Sequence, residues 1–159
     1  MSVVIRPAER ADVPVIAELI LGLAHFEKLE DQVTMTEDQL AENLFGKHRY
    51  AETLLAEDGG APVGFALFFH NFSTFLGQPG IYLEDLFVVP EHRGKGVGRA
   101  LLKELARLAV ERRCGRLEWA VLDWNREAIG FYERLGARPN SEWTVYRLTG
   151  EALSALGRE

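Results

Sequence analysis

Residues 80–123 constrain this chain more than any other stretch. "GIYLEDLFVVP" (80–90) is a strongly apolar run closed by Pro90, as a strand would be. "EHRGKGVG" follows, with Gly94, Gly96 and Gly98 inside five residues. Over 97–112 the apolar residues Val97, Leu101, Leu105, Leu108 and Ala109 recur on one helical face. "RLEWAVLD" (116–123) then returns to a strand pattern. Strand, glycine turn, helix, strand is a crossover unit, which sets its two strands parallel in one sheet and lays the helix across a face. A chain containing it is committed to a layered α/β fold.

The flanking segments fill in that fold. "VVIRPA" (3–8) reads as a short strand ended by Pro7. From about Ala11, residues Val13, Ile16, Leu19, Ile20, Leu23 and Ala24 recur at helical spacing. "TEDQLAENLF" (36–45) predicts a second helix with Thr36 as its N-cap. Two apolar runs around "DGG" (residues 53–72) predict a β-hairpin, because Asp-Gly tolerates positive φ in a tight turn. "NREAIGFYERLG" (125–136) predicts a helix capped by Asn125 and closed by Gly136, and "WTVYRL" (143–148) a last strand. The order is β-α-α-β-β-β-α-β-α-β, one α/β domain over 1–159 without repeats or linkers.

Composition narrows the function. No apolar run approaches the ~18 residues that span a bilayer, and the first residues lack the pattern of a signal peptide. The one cysteine, Cys114, allows neither an internal disulfide nor a zinc cluster, and the four histidines lack ligand spacing, so no metal is expected. These features predict a reduced, cytoplasmic protein with no membrane partner. A net charge of −6 speaks against nucleic acid, which calls for a basic stripe, and suits a cationic substrate.

The glycine loop fails two familiar phosphate motifs. A P-loop needs Lys-Ser/Thr after its last glycine, whereas Gly98 is followed by Arg99 and Ala100. The dinucleotide fingerprint fails as well, with Arg99 or Leu101 at its third position. R-x-x-G-x-G does fit, as Arg93, Gly96 and Gly98. Its physics is that of an anion site: glycines clear the backbone, a helix start offers unpaired N–H groups, and Arg93, Lys95 and Arg99 add charge.

This loop resembles the pyrophosphate loop of the GNAT family of N-acetyltransferases, which bind acetyl-coenzyme A. With "HFEKLEDQV", "VGFALFF", "YLEDLFV", "RGKGVG", "AVLDWN" and "FYERLGA", the resemblance covers nearly the whole chain and is closest to the diamine (spermidine/spermine) and thialysine acetyltransferase branch. It implies a mixed, mostly antiparallel central sheet with flanking helices, acetyl-CoA as cosubstrate, a small-molecule amine as acceptor, and a homodimer. An acetyltransferase of protein N-termini or lysines shares the fold, and a non-catalytic acyl-CoA-binding regulatory domain is the reading from another class.

The resemblance also assigns roles. Glu84 draws the proton from the acceptor amine, and Tyr132 protonates the departing thiolate. The backbone of Leu86, Phe87 and Val88 holds the acetyl and pantetheine part, with the amide of Phe87 or Val88 as oxyanion donor. Arg93, Gly94, Lys95, Gly96, Val97, Gly98 and Arg99 surround the pyrophosphate, while Asn125 and Ala128 lie along the pantetheine chain. Phe26 and Glu27 contact the cationic amine, and Glu142 is a second contact. Ser73 stands where polyamine-type sequences carry an acid, which favours a smaller, amino-acid-like amine. Strand alternation places Glu84 and Leu86 on one face and Asp85 on the other. Direct attack in a ternary complex is favoured over a covalent intermediate, because Cys114 sits at a helix end away from the motifs.

Overall fold

The crossover forms as the sequence predicts, in a computed structural model that describes residues 2–159. One sheet contains β1 (Val3–Pro7), β2 (Glu52–Asp58), β3 (Ala61–Ser73), β4 (Gln78–Val88) and β5 (Leu117–Trp119), side by side in that order. Neighbours are antiparallel except β4 and β5, which run parallel. The helices are α1 (Val13–Phe26), α2 (Glu37–Phe45), α3 (Val97–Glu111), α4 (Arg126–Arg134) and α5 (Gly150–Gly157). This is the mixed, mostly antiparallel α/β architecture that was expected.

Three elements differ. Residues 143–148 form no strand, and α5 follows them where the sequence pattern suggested no helix. β-propensity reflects a side chain's fit on a half-buried pleated surface. Here Trp143 is 77%, Val145 88% and Tyr146 93% exposed, so that burial is missing and the composition alone does not make a strand. The predicted strand at 116–123 also contracts to Leu117–Trp119. The chain divides into two compact units, one ending at Ala120 and holding the whole sheet with α1 to α3, the other running from Val121 to Glu159.

Both faces of the sheet are covered. On one, Ile16, Leu19 and Leu23 of α1 and Leu44 of α2 pack on Leu55, Phe65 and Phe87. Residues of opposite parity serve the other face, where α3 lies on β3 and β4 and buries Val97, Leu101 and Leu105 fully. Local chemistry fixes the ends of these elements. Thr36 and Gln39 form a reciprocal capping box at the start of α2. Gly59 and Gly60, at φ +60° and +85°, make the two-residue β2–β3 turn. Arg6 of β1 pairs with Asp12, at the N-terminus of α1, at 2.8 Å and with Glu57 of β2 at 3.0 Å, which ties the start of α1 to the sheet. The Arg6 guanidinium holds the Asp12 carboxyl below its ordinary range.

Candidate functional site

The site begins where β4 and β5 part. Their pairing runs through Ile81–Leu117, Tyr82–Glu118 and Leu83–Trp119 and goes no further. At the same point the β3–β4 register shifts: Phe68 pairs with Leu83 and Leu67 with Asp85, so Glu84 has no partner across the ladder. Glu84 is a β-bulge, a device that re-aims side chains and ends regular pairing. Beyond it, the Val89 amide donates to the Val63 carbonyl at 2.9 Å, which fixes the parity of the antiparallel ladder. By that parity the backbone polar groups of Phe87 turn toward β3, and those of Leu86 and Val88 turn toward the outer edge. No strand pairs with that edge beyond Leu83 among the described residues.

The strand leads through Pro90–His92, a single 3-10 turn, into the glycine loop. Gly94 and Gly96 adopt left-handed backbone, φ +76° and +87°, and a Cβ on either would meet nothing within 4 Å. Gly96 is the N-cap of α3 and supplies no side chain to its first turn. The first-turn amides therefore have room for an external acceptor and no side-chain cap. Lys95 and Arg99 are exposed beside them, whereas the Val97 side chain is buried in the core and only its amide is on the loop. A coenzyme diphosphate fits these residues, and its extended arm fits the outer edge of β4.

The C-terminal end of α1 meets this strand. Gly22 permits a close approach, since a Cβ there would lie 3.0 Å from the Phe87 ring. Phe26 is one turn further along the same helix face. The Arg93 guanidinium lies over the Phe26 ring at 4.3 Å and near that of Phe87 at 5.5 Å, while its Nε donates to the Val88 carbonyl at 2.9 Å. Glu27 caps the helix next to Phe26, and partial burial raises its pKa.

Asp85 was missed as a member of the site. Regular alternation separates it from Glu84, but the bulge interrupts that alternation. Asp85 instead shares its face with Leu67 and Phe87. Burial first, then the charges of Glu84 and Glu27, push its pKa up to about 6. The structure thus brings Glu27, Glu84 and Asp85 into one acidic neighbourhood. A bulge comes from pairing with another strand, so only the adjacency of "ED" in the sequence hinted at it.

Ser73 is not brought to this group. It ends β3 opposite Gln78, and Glu84 lies roughly 20 Å further along β4 at ~3.3 Å per residue. Its hydroxyl accepts from Arg116 at 3.1 Å. Asn125, Ala128, Tyr132 and Glu142 belong to the second unit. There Asn125 caps α4, its side-chain oxygen accepting from the Ala128 amide at 3.2 Å. Tyr132 is half-buried with its ring 5.5 Å from Phe131, and Glu142 is exposed. Cys114 follows the C-terminus of α3, about 22 Å along that helix from the glycine loop at 1.5 Å per residue. Among the described residues no three His, Cys, Asp or Glu side chains gather as metal ligands, and no helix is long and apolar enough to cross a membrane.

Known proteins share both sequence and fold. The family model described as the acetyltransferase (GNAT) family matches residues 20–137. A thialysine N-epsilon-acetyltransferase of Sus scrofa is 39% identical, across 98% of this chain and 97% of its own length. An L-ornithine N5-acetyltransferase of Arabidopsis thaliana is 34% identical, across 97% of this chain and 87% of its own. Among solved structures, an integron cassette protein from the mobile metagenome of V. cholerae aligns at a TM-score of 0.83 with 29% identity, covering 100% of this chain and 99% of that one. A ribosomal-protein-alanine N-acetyltransferase from Brucella melitensis aligns at 0.73 with 27% identity, covering 94% of this chain and 100% of the other. Family model, relatives and glycine loop agree: the chain is an acetyltransferase of the GNAT family, whose members use acetyl-CoA as cosubstrate.

Proposed function

We propose that this enzyme moves acetyl from acetyl-CoA to the primary amine of a small amino-acid-like acceptor of the thialysine type, by direct attack in a ternary complex. The observation that carries the reading is the outer edge of β4. It departs from β5 at a bulge bearing Glu84, runs past Leu86 and Val88, and ends on a glycine-opened helix start. An extended coenzyme arm can add to that edge as a strand does, with its diphosphate on the amides of 94–99 and the basic side chains around them. The acidic group of Glu27, Glu84 and Asp85, beside the Phe26 ring, suits an ammonium ion. The names of the pig and Arabidopsis relatives support an amino-acid-like amine over a long polycation.

The chemistry assigns each group a proton or a charge. An alkylammonium with a pKa near ~10.4 is not a nucleophile at neutral pH, so Glu84 takes its proton, through water. The amine nitrogen bonds to the thioester carbonyl carbon, and the oxyanion that forms is held by the Val88 amide, which the ladder parity leaves on the outer edge. The carbon–sulfur bond then breaks, the Tyr132 phenol gives its proton to the thiolate, and the second proton that the nitrogen sheds on becoming an amide restores the phenol through water. Cys114, at the far end of α3, takes no acetyl. The same reading makes both units parts of one catalytic domain, acting in the cytoplasm as a homodimer without nucleic-acid, membrane or metal partners.

An acetylation assay over thialysine, lysine, spermidine and an N-terminal peptide tests the proposal. We expect thialysine to exceed spermidine in kcat/KM by ~10-fold or more, the scale set by one or two well-placed contacts. Spermidine well above thialysine would reverse the acceptor class. Preference for the peptide would move the enzyme toward a protein acceptor, as named for the ribosomal-protein-alanine N-acetyltransferase that its fold also resembles.

A further inference from the structure

The loop that takes the coenzyme and the helix end that takes the amine are joined by one side chain. Arg93 is the last residue before Gly94, so its backbone opens the glycine loop. Its amide donates to the Pro90 carbonyl at 3.2 Å, and its Nε to the Val88 carbonyl at 2.9 Å. The same guanidinium lies over Phe26, 4.3 Å from the ring centroid, at the last residue of α1 and next to Glu27. Phe87 lies beneath both: its ring touches the helix where Gly22 has no side chain, and its centroid is 5.5 Å from the Arg93 guanidinium. Among the described residues Arg93 makes no ion pair. Its orientation therefore rests on two aromatic rings, Phe26 the nearer, and the Val88 carbonyl.

We infer that Arg93 is a positioning residue that couples the two substrate sites: a diphosphate on the loop fixes Arg93 against Phe26, and so sets Glu27 for the ammonium group. The inference rests on the proposed function, which places the coenzyme on the loop and the amine at Phe26–Glu27. Its physical basis is conformational. A loop entered through left-handed glycines has backbone freedom that phosphate-bound amides remove. Once the Arg93 backbone is fixed, its guanidinium plane is the surface against which the face of the Phe26 ring packs. Coupling of this kind is reciprocal, so the amine must also tighten the coenzyme by the same factor. Lysine could supply the charge to the phosphates. It has neither the planar face for stacking nor an Nε–H held in fixed geometry toward Val88.

Calorimetry with CoA and thialysine, together with initial-rate kinetics, tests the coupling. In the wild type we expect CoA to tighten thialysine by ~5-fold or more, at the low end of ordinary coupling between sites. Arg93→Lys should bring that factor to ~2-fold or below. It should raise the thialysine KM by ~10-fold, a larger loss than the accompanying fall in CoA affinity, since charge is kept and stacking lost. Phe26→Leu should lose the coupling and Phe26→Tyr, which keeps the ring, should restore it. A residue with a merely structural role would lower melting temperature and kcat without separating the two substrates. If the wild type acetylates thialysine but binds it equally with and without CoA, the coupling is overturned and the proposed function stands. Arg93→Lys with undiminished coupling, or with equal losses for both substrates, also overturns it. A wild type that acetylates no amine of the panel removes both readings together.

Discussion

Asp85 shows how much one residue's role depends on a pairing that local sequence does not record. Alternation along "YLEDLFV" sends Glu84 and Asp85 to opposite faces, while the bulge against Leu67 and Phe68 brings their charges together. The result is open to a linkage experiment. A carboxyl whose pKa is about 6 when folded and 3.8 when unfolded binds more protons in the native state between those values. Its stabilising contribution is present below pH ~4 and lost as pH rises through ~6, so ionised Asp85 destabilises the fold above that. Asp85→Asn removes the charge and should raise stability at pH 8 by on the order of 2 kcal/mol, with the gain fading toward pH 4. Denaturant melts at the two pH values check this, and an equal effect at both would exclude the linkage. At Tyr132 the expectation concerns rate: Tyr132→Phe keeps the ring and loses the acid, so kcat should fall ~10²-fold with CoA affinity unchanged. Full kcat with chemistry rate-limiting would make the hydroxyl structural.

Elements were most legible where their signals are local. Thr36 before α2, the Asp-Gly-Gly turn, Asn125 before α4 and the glycines before α3 each act within a few residues, and each appears where the sequence put it. The strand expected at 143–148 failed because pairing and burial are supplied from elsewhere in a fold, not by Trp, Val and Tyr themselves. The distance of Ser73 from Glu84 was hidden for a related reason, since a motif match does not say how far along a hairpin its residues lie. The junction of β4 and α3 yields the sharpest prediction at this scale. Gly96 is left-handed at the N-cap, with open space where a Cβ would stand. Gly96→Val strains the backbone and fills that space with a branched side chain. CoA affinity should fall ~100-fold or more, the equivalent of one or two charge-assisted hydrogen bonds. Calorimetry on the variant, with circular dichroism to confirm that it is folded, measures this, and unchanged affinity would take the diphosphate off the loop.

At the scale of the whole molecule, the two substrates meet opposite local charges within one net field. The chain carries −6 overall; on the proposed function, Glu27, Glu84 and Asp85 extend that sign to the amine side, while Arg93, Lys95 and Arg99 reverse it at the coenzyme loop. Encounter with a cationic amine is therefore assisted at long range as well as in contact, and encounter with anionic acetyl-CoA is opposed until the loop is near. Salt separates these effects, because the Debye length falls from ~30 Å at 0.01 M to under ~10 Å above 0.1 M. Raising ionic strength over that range should lower kcat/KM for thialysine by ~3-fold and leave that for acetyl-CoA flat or higher, since screening removes a helpful field in one case and an adverse one in the other. The slope should steepen for lysine methyl ester, which carries one more net positive charge than lysine and the same reacting amine. Equal slopes for lysine and its ester would show that the acidic side acts only through contact. A parallel decline for acetyl-CoA would mean that the basic loop, rather than the net charge, governs its approach.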